Sequence, residues 1–224
     1  MRLLAASIIL AASAARLLAD AKQVGTDNQI EIARQNFQTG NLAAANAALD
    51  RFEKENKPTV ESLDLRGSLL MEQRNFEAAA KAFDAAHVAD PANFAPRIHM
   101  GDLLFRQKKF AEARGVYENL LKETNILTSN ERLRFGILLT YLGERDDKRA
   151  QEALNRIPFP TQTPAYYYAQ AAWAFAHGKN SEARRWIGTA DRIFPAKGDS
   201  WFARPLYELG WLKEKPSPAL NQSI

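Results

Sequence analysis

The chain has 224 residues, 46% hydrophobic and 25% charged, which excludes a mini-protein and a disordered chain and suits one domain or a compact array. Ala fills 38 positions against 11 for Gly and 10 for Pro, a bias toward helices, and the absence of Cys excludes disulfides, thiolate metal sites, Cys nucleophiles and a lipid-bearing cysteine. The formal charge of +4 is a mild excess of 30 basic over 26 acidic groups and forms no nucleic-acid stripe by itself.

The first element is predicted over residues 1–21. Met1 and Arg2 are followed by the uncharged run Leu3 to Ala15, and Ala19-Asp20-Ala21 then offers a small-x-small cleavage site. This is the three-part pattern of a secretory signal peptide, cut near Ala21, with Ala14 or Ala15 as alternative sites. The apolar run is shorter than the ~20 residues that span a bilayer. A retained anchor, or an Ala-rich helix that begins the fold, are the competing readings. Cleavage implies a periplasmic or secreted protein. No later stretch is long and apolar enough to insert stably in a membrane. Residues 22–26 are expected to be a short leader.

From there the chain repeats itself every 34 residues. Ala33, Gly67 and Gly101 share one column, and Leu42, Phe76 and Phe110 a second. Ala45, Ala79 and Ala113 share a third, and Leu49, Phe83 and Tyr117 a fourth. Four columns in register over three rows exceed chance. The turn phrases agree: Gly40-Asn41-Leu42, Arg74-Asn75-Phe76 and Lys108-Lys109-Phe110 are variants of one text, and Asp90-Pro91 stops a helix before a proline. Small residues at the eighth and twentieth positions are expected to face each other between two helices, with Ala79 and Ala113 buried and Ala78 exposed. The large residue at position 24 then fills the gap between hairpins, since one hairpin cannot bury its apolar face alone.

These residues resemble the tetratricopeptide repeat, a 34-residue helix–turn–helix unit. The expected fold is all-α, a right-handed α-solenoid over residues 26–197 with units at 26–59, 60–93, 94–127, 129–163 and 164–197. The fourth is degenerate. It keeps Gly136 in its eighth column and Gly143 in its turn, offers Thr128-Ser129-Asn130-Glu131 as a capping box, and ends at Pro158 and Pro160. In the fifth, Ser181 and Glu182 mark the start of the second helix. Residues 199–214 read as an amphipathic capping helix rich in aromatic side chains, from Trp201 and Phe202 to Trp211, with a partner-binding helix as the alternative. Residues 215–224, with Pro216 and Pro218, read as a disordered tail.

Little in the sequence asks for chemistry. His87, His99 and His177 fall at unrelated repeat positions without ligand spacing, and read as ordinary helix-surface or loop residues. No phosphate loop, nucleophile elbow or metalloprotease helix occurs, so neither a catalytic residue, a cofactor nor a metal is expected. The basic pairs Lys108-Lys109, Lys148-Arg149 and Arg184-Arg185 are interleaved with acids, which argues against a nucleic-acid partner.

The resemblance implies protein–protein interaction through a concave groove lined by the first helix of each unit. Carried over residue by residue, it names Arg34, Phe37, Asp64, Met71, Ile98, Asp102, Phe105, Tyr168 and Phe175 as candidate partner-binding residues. Phe37, Met71, Phe105 and Phe175 share position 12 and would form an apolar stripe. Ile30, Arg34, Asp64, Ser68, Ile98 and Asp102 depart from the Lys and Asn pattern with which chaperone-type members clamp an acidic terminus. The expected function is thus a non-enzymatic scaffold for a protein or peptide of the cell envelope. The alternative is a small-ligand-binding or catalytic role for the aromatic group from Tyr166 to Trp173. Partner identity and oligomeric state are not legible.

Overall fold

The computed structural model describes residues 28–195 and 201–213, and every regular element among them is a helix. The expected signal peptide, the leader and the 215–224 tail lie outside the described residues, as do 199, 200 and 214 of the expected capping helix. In chain order the helices are α1 (28–38), α2 (Leu42–Glu55), α3 (Val60–Glu72), α4 (Phe76–Ala89), α5 (Ala95–Arg106) and α6 (Phe110–Glu123). There follow α7 (Leu127–Glu144), α8 (Asp147–Asn155), α9 (Ala165–Ala176), α10 (Asn180–Ile193) and α11 (Arg204–Glu208).

Each hairpin is closed by the same backbone device. Gly40, Arg74, Lys108, Arg145 and Gly178 all take the left-handed conformation, with φ between 59° and 79°. The next residue is the N-cap of the second helix of the pair. Asn41, Asn75 and Asp146 accept the N–H of Ala44, Ala78 and Arg149, three residues on, which satisfies an otherwise orphaned helix donor. The hairpins α1–α2 to α9–α10 then stack. Helices α3, α5, α7 and α9 each pack on their own second helix, and Ala33 of α1 shares a core cluster with Ala45, Ala48 and Leu49 of α2. Helices α3, α5, α7 and α9 also touch in series, so the array is an α-solenoid with its first helices along one inner face.

The glycine columns receive the aromatic side chains of the second helices. A Cβ on Gly67 would lie 2.5 Å from the Phe83 ring, and one on Gly101 2.5 Å from the Tyr117 ring. The small residue at position 8 therefore makes room for the aromatic at position 24. Tyr117 lies equally against Gly136 of the next unit, where a Cβ would come within 2.9 Å of the ring, and so it spans two hairpins. Ala79 and Ala113 are fully buried, whereas Ala78 is half-buried rather than exposed.

The fourth unit departs most. Gly143 lies inside α7, against Phe110, and the turn residue is Arg145. The capping box is also not formed: α7 begins at Leu127 after an Ile126 that makes no side-chain cap. Glu131 instead is wholly buried and accepts hydrogen bonds from the backbone N–H of Gln162 (3.0 Å) and Thr163 (2.9 Å) and from the hydroxyls of Thr161 (2.8 Å) and Thr163 (2.5 Å). A buried carboxylate needs such donors. They tie the irregular loop after the short α8, which includes the cis Phe159–Pro160 bond, onto α7 and let α9 pack directly on α7.

The apolar segment after Pro195 contributes a five-residue helix, α11, flanked by turns. Leu206 is fully buried and belongs to the same core cluster as α5 to α9. The segment's contacts run to α3, α5, α7 and α9, so it covers the inner face of the array.

Candidate functional site

The inner face is built from residues one helical turn apart. On α3, Asp64, Ser68 and Glu72 follow at i, i+4 and i+8, and on α5 Ile98, Asp102 and Arg106 do the same. Adjacent first helices bring these rows side by side. His99 Nδ1 lies 2.7 Å from Asp64, with both side chains only about one-fifth exposed, so His99 is an inter-helix partner and not an ordinary surface residue. Arg34 pairs with Glu31 on its own helix (2.5 Å) and with Glu61 on α3.

Two polar clusters join this face to the C-terminal segment. In the first, Arg106 Nε donates to Glu208 at 2.8 Å and Nη1 to Glu72 at 2.9 Å. Arg204 also pairs with Glu72, and Arg74 reaches Glu208 at 3.5 Å. Arg106, Glu72 and Glu208 are only 10%, 16% and 13% exposed, so these charges are largely removed from water. Burial works against the Arg106 charge, yet Glu72 and Glu208 together outweigh it and hold its pKa above the usual value.

The second cluster centres on Asp102, which accepts from Tyr117 Oη (2.7 Å), Arg132 Nη2 (2.7 Å) and Trp201 Nε1 (3.0 Å). The Arg132 guanidinium lies 4.0 Å from the Trp201 ring centroid, a cation–π contact that fixes the indole from a second side. Burial first, and the Asp102 charge second, raise the Tyr117 pKa well above its ordinary value.

Aromatic contacts complete the joint. Trp201 and Phe202 lie 6.2 and 5.5 Å from Phe135, Phe202 lies 6.0 Å from Tyr168, and Trp211 stacks on Phe175 at 6.1 Å with the planes 17° apart. Beyond the segment the face stays open. A cleft of about 310 Å³ lies between Phe37, Ser68, Met71 and Phe105 on one side and Trp201 and Pro205 on the other.

The candidate residues thus fall into four settings. Phe37, Met71, Asp102 and Phe105 line the cleft. Tyr168 and Phe175 are buried beneath Phe202 and Trp211. Arg34 and Asp64 serve pairs between first helices. Ile98 is buried in the core cluster and does not line the cleft. The sequence reading missed Trp201, Arg204 and Glu208 as groove occupants. Their signal was a charged pair, one helical turn apart, inside an otherwise apolar segment.

The aromatic group from Tyr166 to Trp173 is divided rather than gathered. Tyr166 and Tyr167 pack on Trp186 (6.2 and 6.3 Å), Tyr168 faces Phe202, and Trp173 lies against His177 at 4.1 Å. Among the described residues no His, Cys, Asp and Glu cluster could hold a metal ion, and no helix is long and apolar enough to cross a membrane.

Residues 30–94 and 65–125 match the family model described as tetratricopeptide repeat. The structure is similar to that of PilF from Pseudomonas aeruginosa, with a TM-score of 0.58 and 17% identity over 84% of this chain and 82% of that one. It is also similar to a tetratricopeptide repeat protein from Parabacteroides merdae ATCC 43184 (TM-score 0.51, 16% identity, 83% of this chain and 74% of that one). MamA of AMB-1 is a third solved neighbour (TM-score 0.50, 15% identity, 80% and 95%). At such identities the likeness is one of fold. No curated protein matches the chain.

Proposed function

We propose that the protein is a non-enzymatic interaction scaffold of the cell envelope, holding a segment of a protein partner along the inner face of its first helices. The observation that carries this reading is that the face already holds a polypeptide segment, residues 201–213, by ring contacts, ion pairs and an indole N–H bond. A surface that supplies all three to one segment has the equipment of a peptide-binding groove. The repeat match and the solenoid neighbours support an interaction role in general.

The charges in the groove speak against other roles. Arg106 is balanced by Glu72 and Glu208, and Arg132 by Asp102, so no run of free cations tracks the cleft as a phosphate backbone requires. The Asp102 carboxylate accepts from Tyr117, Arg132 and Trp201 and is thus engaged in holding side chains across the groove. Export rests on the Arg2, Leu3–Ala15 and Ala19-Asp20-Ala21 pattern.

Capture from an envelope fraction tests the scaffold. The wild-type chain should retain a specific protein, and Phe37→Ala with Gln38→Ala, which lines the cleft beside it, should reduce that retention with helicity unchanged by circular dichroism. A small molecule retained through purification, with no protein above background, would remove the reading. Mass spectrometry of the native protein tests export separately: an N-terminus near Lys22 is expected, and an intact Met1 in a cytoplasmic fraction would sink the localisation.

A further inference from the structure

We infer that residues 201–213 are an exchangeable internal ligand of the groove, and that the partner's binding segment has the same chemistry and displaces them. That chemistry is an aromatic ring with an N–H donor, then a guanidinium three residues on and a carboxylate four residues after it. The inference rests on the groove being the partner site and adds what the partner looks like and how the site is held closed.

Three observations carry it. First, the segment is matched to the groove by complementary polar groups, and not by apolar packing alone. Arg204 meets Glu72, Glu208 meets Arg106 and Arg74, and Trp201 Nε1 meets Asp102. A helix whose only task is to cover a core needs no such pairs, because desolvating charges offsets most of what their attraction returns. What such pairs supply is register and choice of partner.

Second, α11 has five residues with Pro205 in its first turn, far below the ~12–15 residues at which an isolated helix becomes marginally stable. The segment therefore owes its shape to the groove, as a bound peptide does.

Third, the groove continues past the segment. The 310 Å³ cleft borders Trp201 and Pro205 and is floored by Met71 and Phe105. An incoming segment can seat an apolar side chain there before any internal contact is broken, and then replace Trp201, Arg204 and Glu208 in order. The occupant we commit to is a foreign protein segment of this pattern. A second copy of the chain would also bring the pattern, and the test separates the two.

The probe is a fluorescein-labelled peptide of residues 201–213, titrated by anisotropy against the full chain. Wild type should bind it weakly, because closed grooves lower the apparent affinity by the fraction that is open. Trp201→Ala with Arg204→Ala, which loosens the internal segment and leaves the groove intact, should bind the probe about tenfold more tightly or better. Adding Glu72→Arg should abolish that gain, and a probe carrying Arg204→Glu should restore it. Circular dichroism on the same samples reports the fold. If the double variant loses helicity, Glu208→Gln serves in its place and should still raise affinity severalfold.

Unchanged probe affinity in a folded variant would overturn the inference and make the segment a fixed part of the core. So would a gain that Glu72→Arg leaves untouched. A wild-type chain that runs as a dimer, and becomes a monomer on adding the probe, would transfer the groove to a second copy and overturn the foreign partner. Failure here leaves the envelope capture intact. Success here without any captured envelope protein would retain the exchange and remove the scaffold.

Discussion

Phe37 and Phe175 hold the same column in the first and fifth units, yet they live in different surroundings. Phe37 is half-buried at the rim of an open cleft, whereas Phe175 is 5% exposed beneath Trp211. The cores differ in the same sense. The first hairpins hold two small clusters, around Ala33 and Leu49 and around Met71 and Phe83, while α5 to α10 and Leu206 share one continuous cluster. Equal positions in a repeat thus have equal backbone geometry but unequal energetic standing. What decides the difference is which other part of the chain covers them.

The largest effects should come from that contrast. Phe175→Ala removes a covered ring and should cost about 3–5 kcal/mol, while half-buried Phe37→Ala should cost about 1 kcal/mol. Urea unfolding of both variants measures this, and similar midpoints would erase the distinction between the two halves. Phe105, 5% exposed and 5.3 Å from Phe110, belongs with Phe175 here, so its truncation reports on folding before it reports on binding.

Glycines sharpen the comparison at the next level. Gly101→Ala must push back the Tyr117 ring, which Asp102 and Gly136 hold from other sides, and should cost about 1–3 kcal/mol although Ala is the better helix former. On α10 at the far end, a Cβ on Gly188 would meet nothing within 4 Å, so Gly188→Ala should stabilise by about 0.5–1 kcal/mol. Thermal melts of opposite sign are expected. The same logic applies to alanines: Ala113→Leu should overpack by about 1–3 kcal/mol, while exposed Ala85→Leu stays within about 0.5 kcal/mol.

The smallest effect is one of pH. Tyr117 has a folded pKa above its unfolded value of about 10, so the neutral phenol contributes stability that is fully present below pH ~10. That contribution is lost as pH rises from there through the folded value. Tyr117→Phe gives up the hydrogen bond to Asp102, costing about 1 kcal/mol at neutral pH. Its stability should then fall less steeply than wild type in unfolding titrations above about pH 10. Parallel curves would show that Tyr117 does not govern alkaline unfolding.

Much of this was legible in the residues. The left-handed turn residue recurs at Gly40, Arg74 and Lys108 because helix ending, turn and N-cap are local matters written in a few adjacent side chains. Ala79, Ala113, Phe83 and Tyr117 are buried because their columns meet neighbours at a fixed sequence distance. The fourth unit was less legible. Glu131 fits a capping box by spacing alone, and nothing near it in sequence says that Gln162 and Thr163, some thirty residues on, offer better donors.

The helical period, the five hairpins and the apolar stripe are all written in the order of the residues, since each depends on interactions within a unit or with the next one, and such interactions leave a repeating trace. What lies on the stripe is settled by the folded array. Trp201 reaches Asp102 across 99 residues, Arg106 reaches Glu208 across 102, and Arg204 reaches Glu72 across 132. Contacts that occur once, between a unique segment and a curved face assembled from several units, have no period to betray them. Their free energy exists only after the array has stacked and brought Glu72, Asp102 and Phe175 onto one surface.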